Sequence, residues 1–387
     1  MNETWWVDPK DLNDEQRSII ELPLGGSHLI TGPPGSGKTN LLLLRANYMT
    51  LADQPNVLIL VFTKTLQEFI ASGGRQYAFS GTKVQTCMKW EQGFLHSFGV
   101  TLAPPSNFED KRLYYLLQVQ KLLSAGKGKE FYDAIFLDEA QDYLPDEIRV
   151  FKTLAKVIFA SAHSKQKIYD GVDTTPLLES LTDQQHKLHY HYRIGRRICK
   201  LADALVTGHE IELLLPASNY NEVERPSSVE DIRCANLDEE IAKITEALSV
   251  QVRAYPDELL GVISPGKETA VRIWEALAET DLGPISVLQI SGEHAPFESG
   301  TRICVATVHS AKGLEFRALH IAECNDFDSR RHERNLAYTA ITRAKTSLSL
   351  YSSEPLPGYL EKALRALEPL SDLPNLAQVF GKKPNVD

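Results

Sequence analysis

Short apolar runs rich in β-branched and aromatic residues alternate with helical stretches along most of this chain. The runs at 28–31, 57–62, 83–86, 134–137 and 156–160 predict one set of strands. A second set is predicted at 259–264, 286–290, 302–308, 318–322 and 347–351. Between them, the spacing predicts helices at 39–51, 113–124, 239–249 and 268–279. Strands that alternate with helices build parallel sheets covered by helices on both faces, so the fold class is α/β. Two such sets predict two domains in series. The stretch 170–185, which opens Asp-Gly-Val-Asp-Thr-Thr and continues into a second Leu-rich segment, is the candidate crossover. The first domain is therefore expected at 1–180 and the second at 181–375. The tail at 376–387 lies beyond the last apolar pattern and is expected to fray.

Composition narrows the class. At 387 residues, 43% hydrophobic and 24% charged, the chain is globular in type and long enough for two cores. Its longest apolar runs, 41–44 and 57–62, fall far short of the roughly 20 residues a membrane helix needs. The acidic start, MNETWWVDPKDL, has no basic region ahead of an apolar core, so no signal peptide is read. Five scattered cysteines without a CxxC pair suit a reducing compartment, and the expected location is cytoplasmic, with no membrane partner. The net charge of −10 argues against a surface that is basic all over, but a phosphate responds to a local groove rather than to the total.

Candidate chemistry begins at Gly32-Pro33-Pro34-Gly35-Ser36-Gly37-Lys38-Thr39, which matches GxxxxGK[ST]. It follows a predicted strand and opens a predicted helix. Backbone N–H groups there would cradle phosphates, Lys38 would neutralise them and Thr39 would ligate Mg²⁺. The plain alternative is a Gly/Pro-rich turn before an ordinary helix. About 100 residues on, Phe136-Leu-Asp138-Glu139-Ala-Gln-Asp142 ends a predicted strand. An acidic pair at the C-terminal edge of a parallel sheet faces the site where ligands bind. Asp138 would hold Mg²⁺ and Glu139 would polarise the attacking water. Alternatively, these are carboxylates favoured in a helix's first turn. ATP and Mg²⁺ are the implied cofactors.

With these motifs in place, the chain resembles the UvrD/Rep/PcrA group of superfamily 1 DNA helicases from Leu12 to about Tyr351. The resemblance implies two RecA-like domains, called 1A and 2A, with the nucleotide in the cleft between them. Leu12-Asn-Asp-Glu-Gln16 resembles the Q motif, whose glutamine reads adenine. Val61-Phe62-Thr63 and Thr86-Cys-Met-Lys-Trp90 resemble motifs that grip single-stranded DNA, although Trp90 is equally a core residue at the sheet edge. Gln166-Lys-Ile-Tyr169 resembles the end of motif III, which implies a catalytic Gln166 and a DNA-facing Tyr169. Tyr190-His-Tyr192-Arg193 resembles a motif whose tyrosine stacks on adenine and whose arginine reaches the γ-phosphate. Thr307-Val-His309-Ser-Ala-Lys-Gly313-Leu-Glu315-Phe matches motif V. It implies nucleotide contacts from Gly313 and Glu315 and DNA contacts from Thr307 and His309. Leu336-Ala-Tyr338-Thr-Ala-Ile-Thr342-Arg343 resembles motif VI and implies that Arg343 is an arginine finger. Read alone, Arg193 and Arg343 are each compatible with solvated surface charges.

Three departures from the family pattern shape the expected function. The interval from Thr86 to Asp138 is 52 residues (138 − 86), and that from Arg193 to Thr307 is 114 (307 − 193). The family inserts its accessory domains 1B and 2B in these gaps, so both are expected to be missing or vestigial. Ala162 and His163 stand where the family has Gly-Asp, and Gly171-Val172 where it has a base-stacking Trp and an Arg. His191 replaces an asparagine. The expected function is a Mg²⁺-dependent ATPase linked to single-stranded or end-containing DNA, with 3′→5′ translocation implied and unwinding by the isolated chain disfavoured. The alternative is a regulatory subunit that controls a partner nuclease or effector, for example in a bacterial antiviral defence complex. A protein partner would dock where the accessory domains are missing, with Leu66-Gln-Glu-Phe-Ile70 and the segment 107–129 as candidate surfaces. A metal at His189 or His191, a base platform at Trp5-Trp6 and phosphate contacts at 330–334 are each set aside for blander roles.

Overall fold

A computed structural model describes residues 12–73, 77–163, 173–206, 213–290, 293–298, 300–327 and 331–367. The first sheet is built from β1 (His28–Thr31), β2 (Val57–Val61), β3 (Val84–Thr86), β4 (Tyr132–Leu137), β5 (Ala155–Ala162) and β6 (Gln184–Lys187). Their order across the sheet is β3-β2-β4-β5-β1-β6, and every pairing is parallel. The second sheet takes β7 (Ser228–Arg233), β8 (Leu260–Ser264), β9 (Ser286–Ile290), β10 (Glu293–His294), β11 (Ile303–Thr307), β12 (Phe316–Ile321) and β13 (Ala344–Ser352). Its order is β10-β9-β11-β8-β12-β13-β7, parallel except for the short antiparallel β10–β9 pair. Two parallel-sheet α/β lobes, the class read from the sequence, are what the chain forms.

The central strands are apolar on both faces because helices cover both. Every residue of β2, β8 and β11 is buried, as a strand sandwiched between helical layers requires. One apolar cluster runs through both lobes, from Leu41 and Phe136 in the first to Phe316 and Leu348 in the second. At the junction, Phe69 of the helix Lys64–Gly73 meets Phe297 edge-on, with 5.5 Å between ring centroids.

Two sequence expectations need correcting here. The boundary at 180/181 falls too early, because β6 pairs with β1 and extends the first sheet to Lys187. Helix Thr175–Leu181 leads back to that sheet, so the described part of the proposed crossover belongs to the first lobe. The second correction concerns the Leu66–Ile70 docking surface. Leu66, Phe69 and Ile70 are buried in the cluster shared by the lobes, so no partner can reach them. The candidates at Trp5-Trp6, Gln166, Tyr169, Gly171, Val172 and Arg330, and the tail 376–387, lie outside the described residues.

Candidate nucleotide site and the neighbouring cleft

The loop after β1 carries the phosphate-binding sequence. Gly35 and Gly37 adopt φ of 73° and 88°, a left-handed backbone that a side chain would strain. These turns aim the loop at the start of helix Lys38–Leu51, whose N-cap is Gly37 and whose first amides have no side-chain cap. The Lys38 ammonium donates to the carbonyls of Gly32 and Pro33, at 2.8 and 3.0 Å. Burial pushes its pKa down, against the opposing pull of Glu139 and Asp138. Among the described residues, the buried Ser36 hydroxyl and Asn40 Oδ1 find no hydrogen-bond partner. A glycine-turned loop at a helix start without a side-chain cap, a buried ammonium resting on the loop's own carbonyls and an orphaned hydroxyl fit a polyphosphate.

Across the loop stands the end of β4. Thr39 Oγ1 donates to both Asp138 oxygens, at 3.0 and 3.2 Å, and Ser161 at the end of β5 donates to Oδ1 at 2.7 Å. Glu139 follows with φ 49° and ψ 48°, a left-handed conformation that costs a non-glycine residue about 1–3 kcal/mol. That turn swings its carboxylate into the same cleft, where Gln141 Nε2 donates to it at 2.5 Å. The Gln141 amide is held in turn by the His163 N–H at 3.0 Å. Burial raises the Asp138 pKa and the neighbouring Glu139 charge adds to this, against Ser161, Thr39 and Lys38. Burial would raise Glu139 as well, but Lys312, Lys38 and Arg343 outweigh it and hold it below the usual range. The pair is therefore split, with Glu139 ionised and Asp138 the easier to protonate.

The second lobe closes this cleft. Arg193, Gly313, Glu315 and Arg343 line it together with Gly35, Lys38, Thr39, Asp138 and Glu139. Arg193 Nη1 donates to Glu315 Oε2 at 2.8 Å in a mostly buried pair. Burial would raise the Glu315 pKa, yet Arg193 and Lys345 keep it lowered. Arg343 is 6% exposed and donates through Nε to the Thr339 carbonyl, so it is no solvated surface charge. On the rim, Gln16 Nε2 donates to the Ser36 carbonyl at 3.2 Å, and Asn13 Nδ2 donates to the Tyr192 hydroxyl at 2.6 Å. Gln16 also closes a capping box with Asn13, which ties the adenine-reading candidates Gln16 and Tyr192 to one helix start.

Two cleft residues escaped the sequence reading as a pair. Lys312 and Asp142 form an ion pair between the lobes, 1% and 0% exposed. Thr63 Oγ1 also donates to the Lys312 carbonyl at 3.1 Å. Gly313 has φ 87°, and a Cβ there would lie 2.6 Å from Leu66 Cδ2 of the first lobe. Only glycine permits this approach. Both Asp142 and Lys312 stand inside motifs quoted above, but nothing in their spacing joins residues 170 positions apart.

A second cavity of about 320 Å³ opens between the lobes. Phe62, Thr63, Thr86 and His309 line it, so four of the candidate DNA residues come together. Two others do not. Trp90 is 2% exposed and packs on Phe94 and Phe151, and its indole N–H donates to the Tyr132 hydroxyl at 2.9 Å. It is a core residue and cannot stack on a base. Thr307 is buried at the end of β11, where its hydroxyl accepts from Ser310 N and donates to Ser310 Oγ, closing the turn. Trp90→Ala should therefore destabilise the fold by about 3–5 kcal/mol, read from a denaturant midpoint at constant slope. An unchanged midpoint would contradict its place in the core.

Among the described residues, Cys87, Glu91 and Glu147 are close enough to share a metal. Arg112, however, donates to both Glu147 oxygens, at 2.6 and 2.5 Å, so a guanidinium already neutralises that carboxylate. No described helix is long and apolar enough to cross a membrane.

None of the curated proteins matches the sequence significantly. The C-terminal domain of a possible DNA helicase from Lactobacillus plantarum WCFS1 is 19% identical over 46% of this chain and 96% of that one, with a TM-score of 0.34. The PRRSV helicase is 16% identical over 87% of this chain and 54% of its own, with a TM-score of 0.38, so the chain spans about half of that helicase. Residues 302–351 match the model of the UvrD-like helicase C-terminal domain family. That stretch holds His309, Lys312, Gly313, Glu315 and Arg343, so this part of the second lobe is similar to a UvrD-like helicase C-terminal domain.

Proposed function

We propose that the chain is a Mg²⁺-dependent ATPase of the UvrD-like helicase type whose turnover is linked to single-stranded DNA. One observation carries this reading: Lys38, Asp138 and Glu139 of the first lobe face Arg193, Glu315 and Arg343 of the second across one cleft. In this reading the loop amides and Lys38 bind the phosphates, and Thr39 and Asp138 hold the cation. Bound Mg²⁺ would supply charge neutralisation for the transferring phosphoryl group. Glu139 accepts a proton from the attacking water, and Arg193 and Arg343 reach the phosphates only when the lobes are closed. Gln16 and Tyr192 take the base, and Glu315 the ribose. The family likeness adds Gln166 to the catalytic set and 3′→5′ movement along the strand. Phosphate release by the purified chain, with Mg²⁺ and then with EDTA, tests the chemistry. Mg²⁺-dependent turnover is expected, and its absence overturns the reading.

The second reading, a regulatory subunit for a nuclease or other effector, is favoured by Leu113 and Leu117. They are 48% and 53% exposed, one turn apart on helix Phe108–Ser124, within the gap where the family carries domain 1B. A forked-duplex assay on the chain, run beside a pull-down from its native host, separates the two readings. ATP-driven unwinding without a recovered partner would exclude the regulatory role.

A further inference from the structure

We infer that Phe108 is a nucleobase-stacking residue of the second cavity, a role that rests on the DNA-linked reading above. The helix Phe108–Ser124 buries one stripe, with Tyr115, Leu116, Val119 and Leu122 in the first-lobe core. At 3.6 residues per turn, Arg112 lies roughly 40° around the axis from Phe108, and Leu113 and Leu117 lie roughly 140–180° away. Phe108 thus stands on the inward stripe, where a core residue belongs. It is nevertheless 54% exposed, because the first buried residue of this helix is Tyr115, about two turns on, and the stripe runs out beside the cavity.

The cavity has the chemistry of a nucleotide strand on its walls. Phe62 offers a half-buried ring, Thr63 and Thr86 hydroxyls, and His309 an imidazole. Lys64 lines it too, and begins the helix Lys64–Gly73, whose N-terminal amides favour an anion. An aromatic face beside phosphate-binding groups is how single strands are held without sequence preference.

The helix start that carries Phe108 is also anchored. Asn107 caps the helix by accepting from Glu109 N and Asp110 N, at 2.9 and 3.2 Å. One turn on, Arg112 clamps Glu147 and donates through Nη2 to the Asp142 carbonyl at 3.0 Å. Asp142 pairs with Lys312 and closes the turn that carries Glu139. A base stacked on Phe108 would therefore press on a helix tied directly to the catalytic turn.

The test is the affinity of the full chain for a fluorescent oligothymidylate, by anisotropy at one low salt concentration. Phe108→Leu keeps an apolar side chain and removes the ring, and should bind roughly tenfold more weakly. Phe108→Tyr, which restores the ring, and Leu113→Ser, on the opposite face, should both bind like the wild type. Thermal melting of each variant checks the fold. Wild-type affinity in Phe108→Leu would overturn the inference and leave the DNA-linked reading standing. A wild-type chain that binds no single strand would overturn both.

Discussion

Glu139→Gln should still bind ATP and should lose at least ~10² in turnover, the lower range for removing a general base. The substitution is nearly isosteric, and the residue's backbone is already fixed in the left-handed region by the turn after β4. What changes is the charge. Lys312, Lys38 and Arg343 hold this carboxylate ionised in a site where burial alone would favour its acid form. An ionised, desolvated carboxylate at the cleft is a competent proton acceptor, and an amide is not. Lys38→Ala should act differently and weaken nucleotide binding itself, since the ammonium is the cation of the phosphate loop. Calorimetric binding beside single-turnover hydrolysis distinguishes the two effects. Normal hydrolysis by Glu139→Gln would remove Glu139 from the chemistry.

Arg343→Ala is expected to lower turnover by ~10³–10⁵, the range seen where an arginine finger is removed from other NTPases. Both the backbone and the side chain of Arg343 are held. Its carbonyl accepts from Phe316 N at 2.8 Å, its N–H donates to the Ala340 carbonyl at 3.1 Å, and its Nε is held by Thr339. It reaches the cleft from the second lobe while Lys38 and Glu139 reach it from the first, so its contribution depends on closure. Arg343→Lys keeps the charge but loses the planar fork, and should recover only part of the rate. Nucleotide affinity should change much less than turnover in both variants, because the phosphate loop is untouched. A turnover within severalfold of the wild type would contradict the finger assignment.

The sequence disclosed those parts of the molecule that are local. β2, β8 and β11 are mostly apolar and wholly buried because helices cover both of their faces, and their ends were placed within a residue or two. The edge strands β6 and β7, Gln-Gln-His-Lys and Ser-Val-Glu-Asp-Ile-Arg, carried no such signal. One side of an edge strand faces water, and polar residues there read as loop. Missing β6 is what moved the expected domain boundary. The glycine-rich loop and the Asp138-Glu139 pair could be singled out as candidates because each is a short local pattern, and the fold brings both to one cleft. Trp90 misled because an aromatic beside a motif looks the same whether it meets a base or Phe151. The Lys312–Asp142 pair and the clamp of Arg112 on Glu147 were hidden for another reason. They join distant segments, and only the folded chain shows which charges meet.

The central claim is that two clefts between the same lobes act together, one on ATP and one on a single strand of DNA. Thr63 shows how closely they are joined, since it lines the second cavity and bonds the Lys312 carbonyl whose side chain pairs with Asp142. The most direct test is the steady-state ATPase rate of the purified wild-type chain, with Mg²⁺ at fixed salt, as single-stranded oligothymidylate is titrated in. A rate that climbs and saturates with the strand is the result this account predicts. A Mg²⁺-dependent rate that stays flat across the titration would contradict it.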